Sequence, residues 1–381
     1  MHQVIPSPSL DQLIDLINTD SSPANTLTLT DVTITVGSGK DFATIQEAID
    51  FFQGKIVSGT CTIDVDAGSY AENLTFDSIQ VMPGATLWLK GDTRALAGLS
   101  YVDHTYGGNS ESRTNGGARD AACALANSTT NITVTITGGD PDFDADNWVN
   151  GDLLLVYDNA AAITEKTISS TSNKTITLTT TAPTIGNTGT AICLCPNRVI
   201  SISSGTAINI QIQGVKITGF YIKSAAATGT LINLTKSYST LEFSNVIFRK
   251  AAICLQNIGI LTSTAGCISF WEPASYGIYA TANAYSTIHY VTFIKNYSGI
   301  YTYNGNIIVG YYSKAVGCTA GFYALGNNYQ DFAYSSTINN TTGFYSGTGA
   351  FINALLCNAR ATGNINTSNT DGITGSYVNI S

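Results

Sequence analysis

Gly277-Ile278-Tyr279 returns as Gly299-Ile300-Tyr301, as Gly321-Phe322-Tyr323 and as Gly343-Phe344-Tyr345, four copies at intervals of 22 residues. Eight residues after each glycine stand Tyr285, Ile307, Tyr329 and Phe351; thirteen after stand Tyr290, Tyr312, Tyr334 and Leu356. Seventeen after come Ile294, Val316, Ile338 and then Arg360, which breaks the column. Asn, Gly, Ser and Thr fill the spaces. This period is too short for helix-pair repeats and lacks the leucine consensus of leucine-rich repeats. It suits one coil of a parallel β-helix, with coils stacked about 4.8 Å apart. Like residues then lie over like, so the columns become ladders inside the solenoid or along one face of it. Ala252-Ile253-Cys254 and Thr230-Leu231-Ile232 occupy the same position in earlier coils, so the solenoid is expected to begin at or before Ser201.

Composition agrees with stacked β coils. Only 11% of the 381 residues are charged, against roughly a quarter in an average soluble protein; Ser, Thr, Asn and Gly take their place. A net charge of −9 offers no basic stripe to neutralise phosphates and argues against a nucleic-acid partner. The N-terminus Met1-His2-Gln3-Val4-Ile5-Pro6 lacks a basic segment followed by an apolar one, and no run of 18 apolar residues occurs. The expectation is a chain without signal peptide or membrane insertion. Eight scattered cysteines are expected as buried free thiols, which fits synthesis in a reducing cytoplasm.

Residues 1–35 read as an arm. Ser9 can cap a short helix with Leu10, Leu13, Ile14 and Ile17 on one face, and a linker follows. That face packs either on its own solenoid or on other assembly proteins, a partner or a neighbouring subunit.

Within Val36-Gly37-Ser38-Gly39-Lys40-Asp41-Phe42-Ala43-Thr44-Ile45-Gln46-Glu47-Ala48-Ile49, Thr44 to Glu47 form a capping box. Ile45, Ala48, Ile49 and Phe52 make an apolar stripe, and Gly54 ends the helix. Cys61, Ile63 and Val65 alternate with polar residues in a strand, and Gly68-Ser69-Tyr70-Ala71-Glu72 follows. This segment resembles the opening of pectinesterase-type and tailspike-type right-handed β-helix proteins. The resemblance implies a helix plugging the end of the solenoid over residues 36–91, and specifies fold better than chemistry.

The rhythm is lost over 92–198. Leu153 to Tyr157, Thr167-Ile168 and Lys174 to Thr179 read as a small antiparallel β module; an insert of this general type, spliced into a β-helix, resembles those of phage tail proteins. The main solenoid is expected over 199–381. The fold class is therefore all-β, a right-handed parallel β-helix of ~22-residue coils with an N-terminal capping helix and an inserted antiparallel module.

Candidate chemistry is sparse. Gln330-Asp331 is similar to part of the pectinesterase site, but no second Asp occurs before Asp371, which excludes that reaction. Glycoside hydrolysis needs two facing carboxylates; the solenoid offers only Glu242, Glu272, Asp331 and Asp371, and the first three fall at unlike offsets. The lysines 216, 223, 236, 250, 295 and 314 show no cluster by offset either. The segment from Asp92 to Asp120 gathers acids, Arg and His104 and supplies Asp103 and Glu111 as catalytic candidates. Asp140, Asp142, Asp144 and Asp146 either converge on Ca²⁺ or form a solvated acidic turn. No other cofactor is indicated. Tyrosine ladders either stack on sugar rings or pack in the interior or a subunit interface.

Together with the resemblance, this yields the expectation of a virion-surface or extracellular, tailspike-like homo-oligomer. By analogy it is a trimer that recognises a host-surface polysaccharide. A polysaccharide depolymerase, hydrolase or lyase, and a self-assembling extracellular fibre subunit are the alternatives.

Overall fold

The computed structural model describes residues 27–92, 101–103, 123–126, 133–136, 150–157, 163–172, 175–179, 191–264, 268–333, 335–338, 340–347, 349–355, 358–360 and 377–380. The chain is a parallel β-helix whose strands stack in three walls. The first wall runs through 60–65, 86–90, 215–218, 240–243, 260–263, 285–289, 307–311, 329–333, 351–355 and 377–380. The second runs through 68–70, 198–202, 221–224, 246–249, 268–271, 291–294, 314–316, 336–338 and 358–360. The third is an eight-stranded sheet from Leu74–Phe76 to Thr342–Gly347. Val215–Ser224 and Thr240–Arg249 each turn from the first wall into the second without a break.

The repeat explains itself in this frame. Ile278, Ile300, Phe322 and Phe344 of the third wall point into the core and are at most 3% exposed, each contributing about 1.5 to 3 kcal/mol of burial. The tyrosine that follows each points outward. Gly277, Gly299 and Gly321 are dictated by close approach: a Cβ on each would stand 2.6 Å from the carbonyl oxygen of the glycine one coil on. Inside, Phe248, Phe270 and Phe293 stack at 4.6 and 5.0 Å. Buried Asn side chains satisfy turn amides between coils: Asn306 accepts from Ala284 N, Asn328 from Asn306 N and Asn340 from Cys318 N, at 2.7 to 2.8 Å.

Two columns occupy corners. Tyr290 and Tyr312, between first and second walls, have φ of 56° and 55°. Such left-handed backbone costs a non-glycine residue of order 1 to 3 kcal/mol. The parallel stacking of the two rings, with centroids 5.1 Å apart, offsets about 1 kcal/mol of it. After the second wall the same role falls to Lys250, Glu272 and Lys295, with φ of 57°, 49° and 54°, and then to Gly317. The outward column Ile260, Tyr285, Ile307, Tyr329 is in register and 39 to 44% exposed, so it lies along a face and not in the interior. Ile294 and Val316 are buried, and Arg360 does pair in register with Ile338.

Near the N-terminus, helix α1 (Ile45–Asp50) carries the Thr44/Glu47 capping box. Ile45, Ala48, Ile49 and Phe52 are fully buried against strands Thr33–Val36, Thr60–Val65 and Leu74–Phe76. Thr28–Leu29 and Thr33–Val36 already pair with Ile56–Val57 and with 62–65. The solenoid therefore begins inside the stretch assigned to the arm, because Leu29, Ile34 and Val36 are core residues. The arm helix around Leu10 to Ile17 lies outside the described residues.

The chain leaves the first wall after Lys90 and rejoins the second at Arg198, two ends of one corner. Gly91 N and Asp92 N donate to Thr218 O and Gly219 O. Arg198 Nη1 meets Asp92 Oδ2 at 3.1 Å, while its Nε donates to Val65 O. Between these points 101–103, 123–126, 133–136, 153–157, 164–172, 175–178 and 191–195 pair antiparallel in a seven-stranded sheet. Among the described residues, Cys61, Cys254 and Cys318 are free and buried, Cys195 is buried too, and no helix is long and apolar enough to cross a membrane.

Candidate functional site

The second wall alternates core residues Phe220, Ile222, Val246 and Phe248 with Tyr221, Lys223, Ile247 and Arg249 on its outer side. Tyr221 and Ile247 are nevertheless fully buried, because part of this outer side is covered. The cover at Tyr221 and Arg249 is the insert strand Thr164–Ser172 and the residue before it. Glu165 accepts from Tyr221 Oη at 2.8 Å, from Lys223 Nζ at 2.7 Å and from Arg249 Nη1 at 3.1 Å. Arg249 Nη2 donates to Ile163 O at 2.9 Å. On its other side Arg249 Nε lies 3.5 Å from Glu272 Oε2, and Glu272 Oε1 accepts from Ile163 N at 3.4 Å and faces Lys295 Nζ at 4.0 Å.

Beside this junction opens a cleft of about 550 Å³. Its floor carries Ser201, Lys223 and Arg249, which succeed one another on adjacent rungs in register. Lys250, Asn73, Ser203 and Ser224 complete a polar lining, with Glu165 at the insert side. The left-handed corner turns Lys250 out of the wall and leaves it exposed. No carboxylate among the described residues pairs with it.

Electrostatics separates the roles. Burial pushes Glu165 up, but the hydrogen bonds from Lys223 and Tyr221 and the charges of Lys223 and Arg249 outweigh it and hold the carboxyl below its ordinary value. A general acid for glycosidic cleavage needs the opposite shift. Burial raises Tyr221 well above the usual phenol range. For Arg249 burial acts downward, yet Tyr221, Glu272 and Glu165 raise it, so its charge is fixed.

The tyrosines of the third wall form a second surface feature. Tyr279, Tyr301, Tyr323 and Tyr345 stand in register, with ring centroids 5.5, 5.2 and 4.3 Å apart and planes within 23° of parallel. The rings face one another along the stack and turn their edges outward. Sugar stacking on their faces is thereby prevented between rungs, and the column acts as a brace worth about 0.5 to 1.5 kcal/mol per pair.

The residues singled out from sequence fare differently. Asp103 lies on the insert strand Tyr101–Asp103, opposite Ala191; Glu111, Asp140, Asp142, Asp144 and Asp146 lie outside the described residues. Gln330 points inward and donates to Thr302 Oγ1, whereas Asp331 points outward and accepts from Asn353, so the pair shares no site. Glu72 accepts from Ile45 N and Gln46 N, closing the N-terminus of α1. The lysines taken as unclustered are corrected in part: Lys223 and Lys250 line one cleft, and Lys295 reaches Glu272. Counting offsets missed this because coil lengths vary and because the partner Glu165 comes from the insert. The doublet Arg249-Lys250, in a chain poor in charge, was the available signal.

No family model matches this chain, and no curated protein sequence matches it. Among solved structures, the chain is similar to XylC in its complex with xylose, at 10% identity and a TM-score of 0.45, over 87% of this chain and 68% of that one. It is similar to the tailspike gp61 of Pseudomonas phage phi297 at 10% identity and a TM-score of 0.20, over 86% and 75%. It is also similar to the gp54 tailspike of Acinetobacter baumannii bacteriophage AP22, in complex with capsular saccharide, at 11% identity and a TM-score of 0.20, over 97% and 69%. Likeness this distant assigns no residue and no chemistry, which rest on the geometry of the cleft.

Proposed function

We propose that this chain is a tailspike-like structural protein of a virion surface that recognises a host-surface glycan in the cleft between insert and second wall. The observation that supports it is the lining: Ser201 and Ser203 offer hydroxyls and Asn73 its amide oxygen, with Lys223, Arg249 and Lys250 beside them. A space of about 550 Å³ lies within the range of small-ligand sites, but those are mostly apolar. A polar wall between rigid strands suits a polyhydroxylated ligand. Binding is favoured over cleavage because Glu165 is engaged by three donors and held ionised.

The test incubates the purified protein with host capsule or envelope polysaccharides and follows both retention and the appearance of new reducing or unsaturated ends. Retention with intact glycan is expected. New ends that disappear on replacing Asp103 or Glu111 by Ala would favour the depolymerase. Neither retention nor new ends across a broad panel would leave a fibre subunit as the reading.

A further inference from the structure

The cleft has a charge opposite to that of the chain. Lys223, Arg249 and Lys250 line it against the single carboxylate Glu165, and Glu272 and Lys295 stand at its edge. The described groups sum to four cations and two carboxylates, in a chain of net charge −9. Structural pairing accounts for only part of this excess. Glu165 serves Lys223 and Arg249, and Glu272 serves Arg249 and Lys295. Among the described residues Lys250 has no such counter-ion, and its position is not one the backbone would choose. A left-handed corner favours Gly or Asn, and Gly317 occupies the same column two coils after Glu272.

From this arrangement we infer that the cleft binds an anionic substituent of the ligand, a carboxylate, sulfate or phosphate on a sugar ring. Lys250 and Lys223 make charge-assisted hydrogen bonds to its oxygens, and Ser201 donates its hydroxyl. The inference rests on the glycan reading and sharpens it to acidic glycans. Arg249 is a positioning residue here, tied to Glu165 on one side and to Glu272 on the other. A cation pair beside a rigid wall attracts anionic oxygen through a short range of about 8 Å at physiological salt, so binding weakens as salt rises.

The test uses the full chain and a glycan array with uronate-bearing, sulfated, phosphorylated and uncharged oligosaccharides, followed by titration of each hit with the parent protein and with Lys250→Gln. Glutamine carries the same backbone penalty at this corner but no charge, and equal melting temperatures check that the fold is kept. The expected result is that hits are acidic, that Lys250→Gln lowers affinity roughly tenfold, and that Lys250→Arg retains it. Which acidic class binds identifies the substituent. Hits confined to uncharged glycans, or acidic hits indifferent to Lys250→Gln and to salt, overturn this inference and leave glycan recognition standing. An array with no hits overturns both.

Discussion

At the scale of single residues, the sharpest constraint is the glycine that opens each repeat. In Gly299→Ala the new methyl would lie 2.6 Å from Gly321 O and 3.0 Å from Phe293 Cγ. The first is backbone and can yield only by parting two coils. A loss of roughly 1 to 3 kcal/mol is expected, as for overpacking elsewhere, and would be read as a lower denaturant midpoint with an unchanged slope. Parent-like stability would mean that the coils breathe more freely than this spacing allows. Glu165 makes a pH-dependent contribution. Its folded pKa lies below the ordinary value of about 4.3, so its stabilisation is complete above that value and is lost as pH falls through the folded pKa. Glu165→Gln should therefore cost roughly 2 kcal/mol at pH 7, and the gap between parent and variant melting temperatures should narrow as pH falls below the ordinary carboxyl value of about 4.3. A gap that stays constant down to pH 3 would contradict this assignment.

Elements meet at corners, and the corner carrying the insert is the most exposed to failure. A chain excursion of about a hundred residues leaves and rejoins the solenoid through Gly91-Asp92 and Arg198. Asp92 is only 6% exposed; removing its cation leaves a buried charge without that partner. Arg198→Ala is expected to cost roughly 2 to 4 kcal/mol, toward the lower part of the range for breaking buried pairs because Arg198 keeps some solvent contact. The loss should appear as earlier proteolysis within the insert and as a lower melting temperature. If both are unchanged, the rejoining strand is held by its β pairing with Gly68 to Tyr70 alone. Helix α1 is secured differently: Thr44, Glu47 and Glu72 between them accept from its free first-turn amides. Glu72, found in a turn similar to one in enzymes of this fold, is thus explained by structure.

For the whole molecule, the outward column Ile260, Tyr285, Ile307, Tyr329 matters most. Four large side chains about two-fifths exposed on one face are more than isolated surface hydrophobes, and contiguous apolar surface of this kind marks contact with another protein. Self-association is expected, and Tyr285→Lys with Ile307→Lys should shift it toward monomer without unfolding. Light scattering that finds the parent protein monomeric at micromolar concentration would remove this expectation.

The sequence by itself determined the solenoid, its period and the helix near its start. These depend on local pattern: the 22-residue return of Gly-Ile-Tyr, the alternation within each strand, and the Thr44/Glu47 box. In a stack where each coil touches mainly its neighbours, periodicity in sequence is periodicity in space. Which columns face outward was not, because a three-walled coil reverses the inward side at each corner, and the corners are set by left-handed residues such as Tyr290 and Lys250 whose identity does not announce that conformation. The cleft was decided only by tertiary structure. Glu165, Lys223, Arg249 and Glu272 are separated by up to 107 positions, and they meet because the insert folds back on the second wall, the one it rejoins at Arg198. No period relates them, since charge pairing across that junction depends on where the insert lies and not on how the coils repeat.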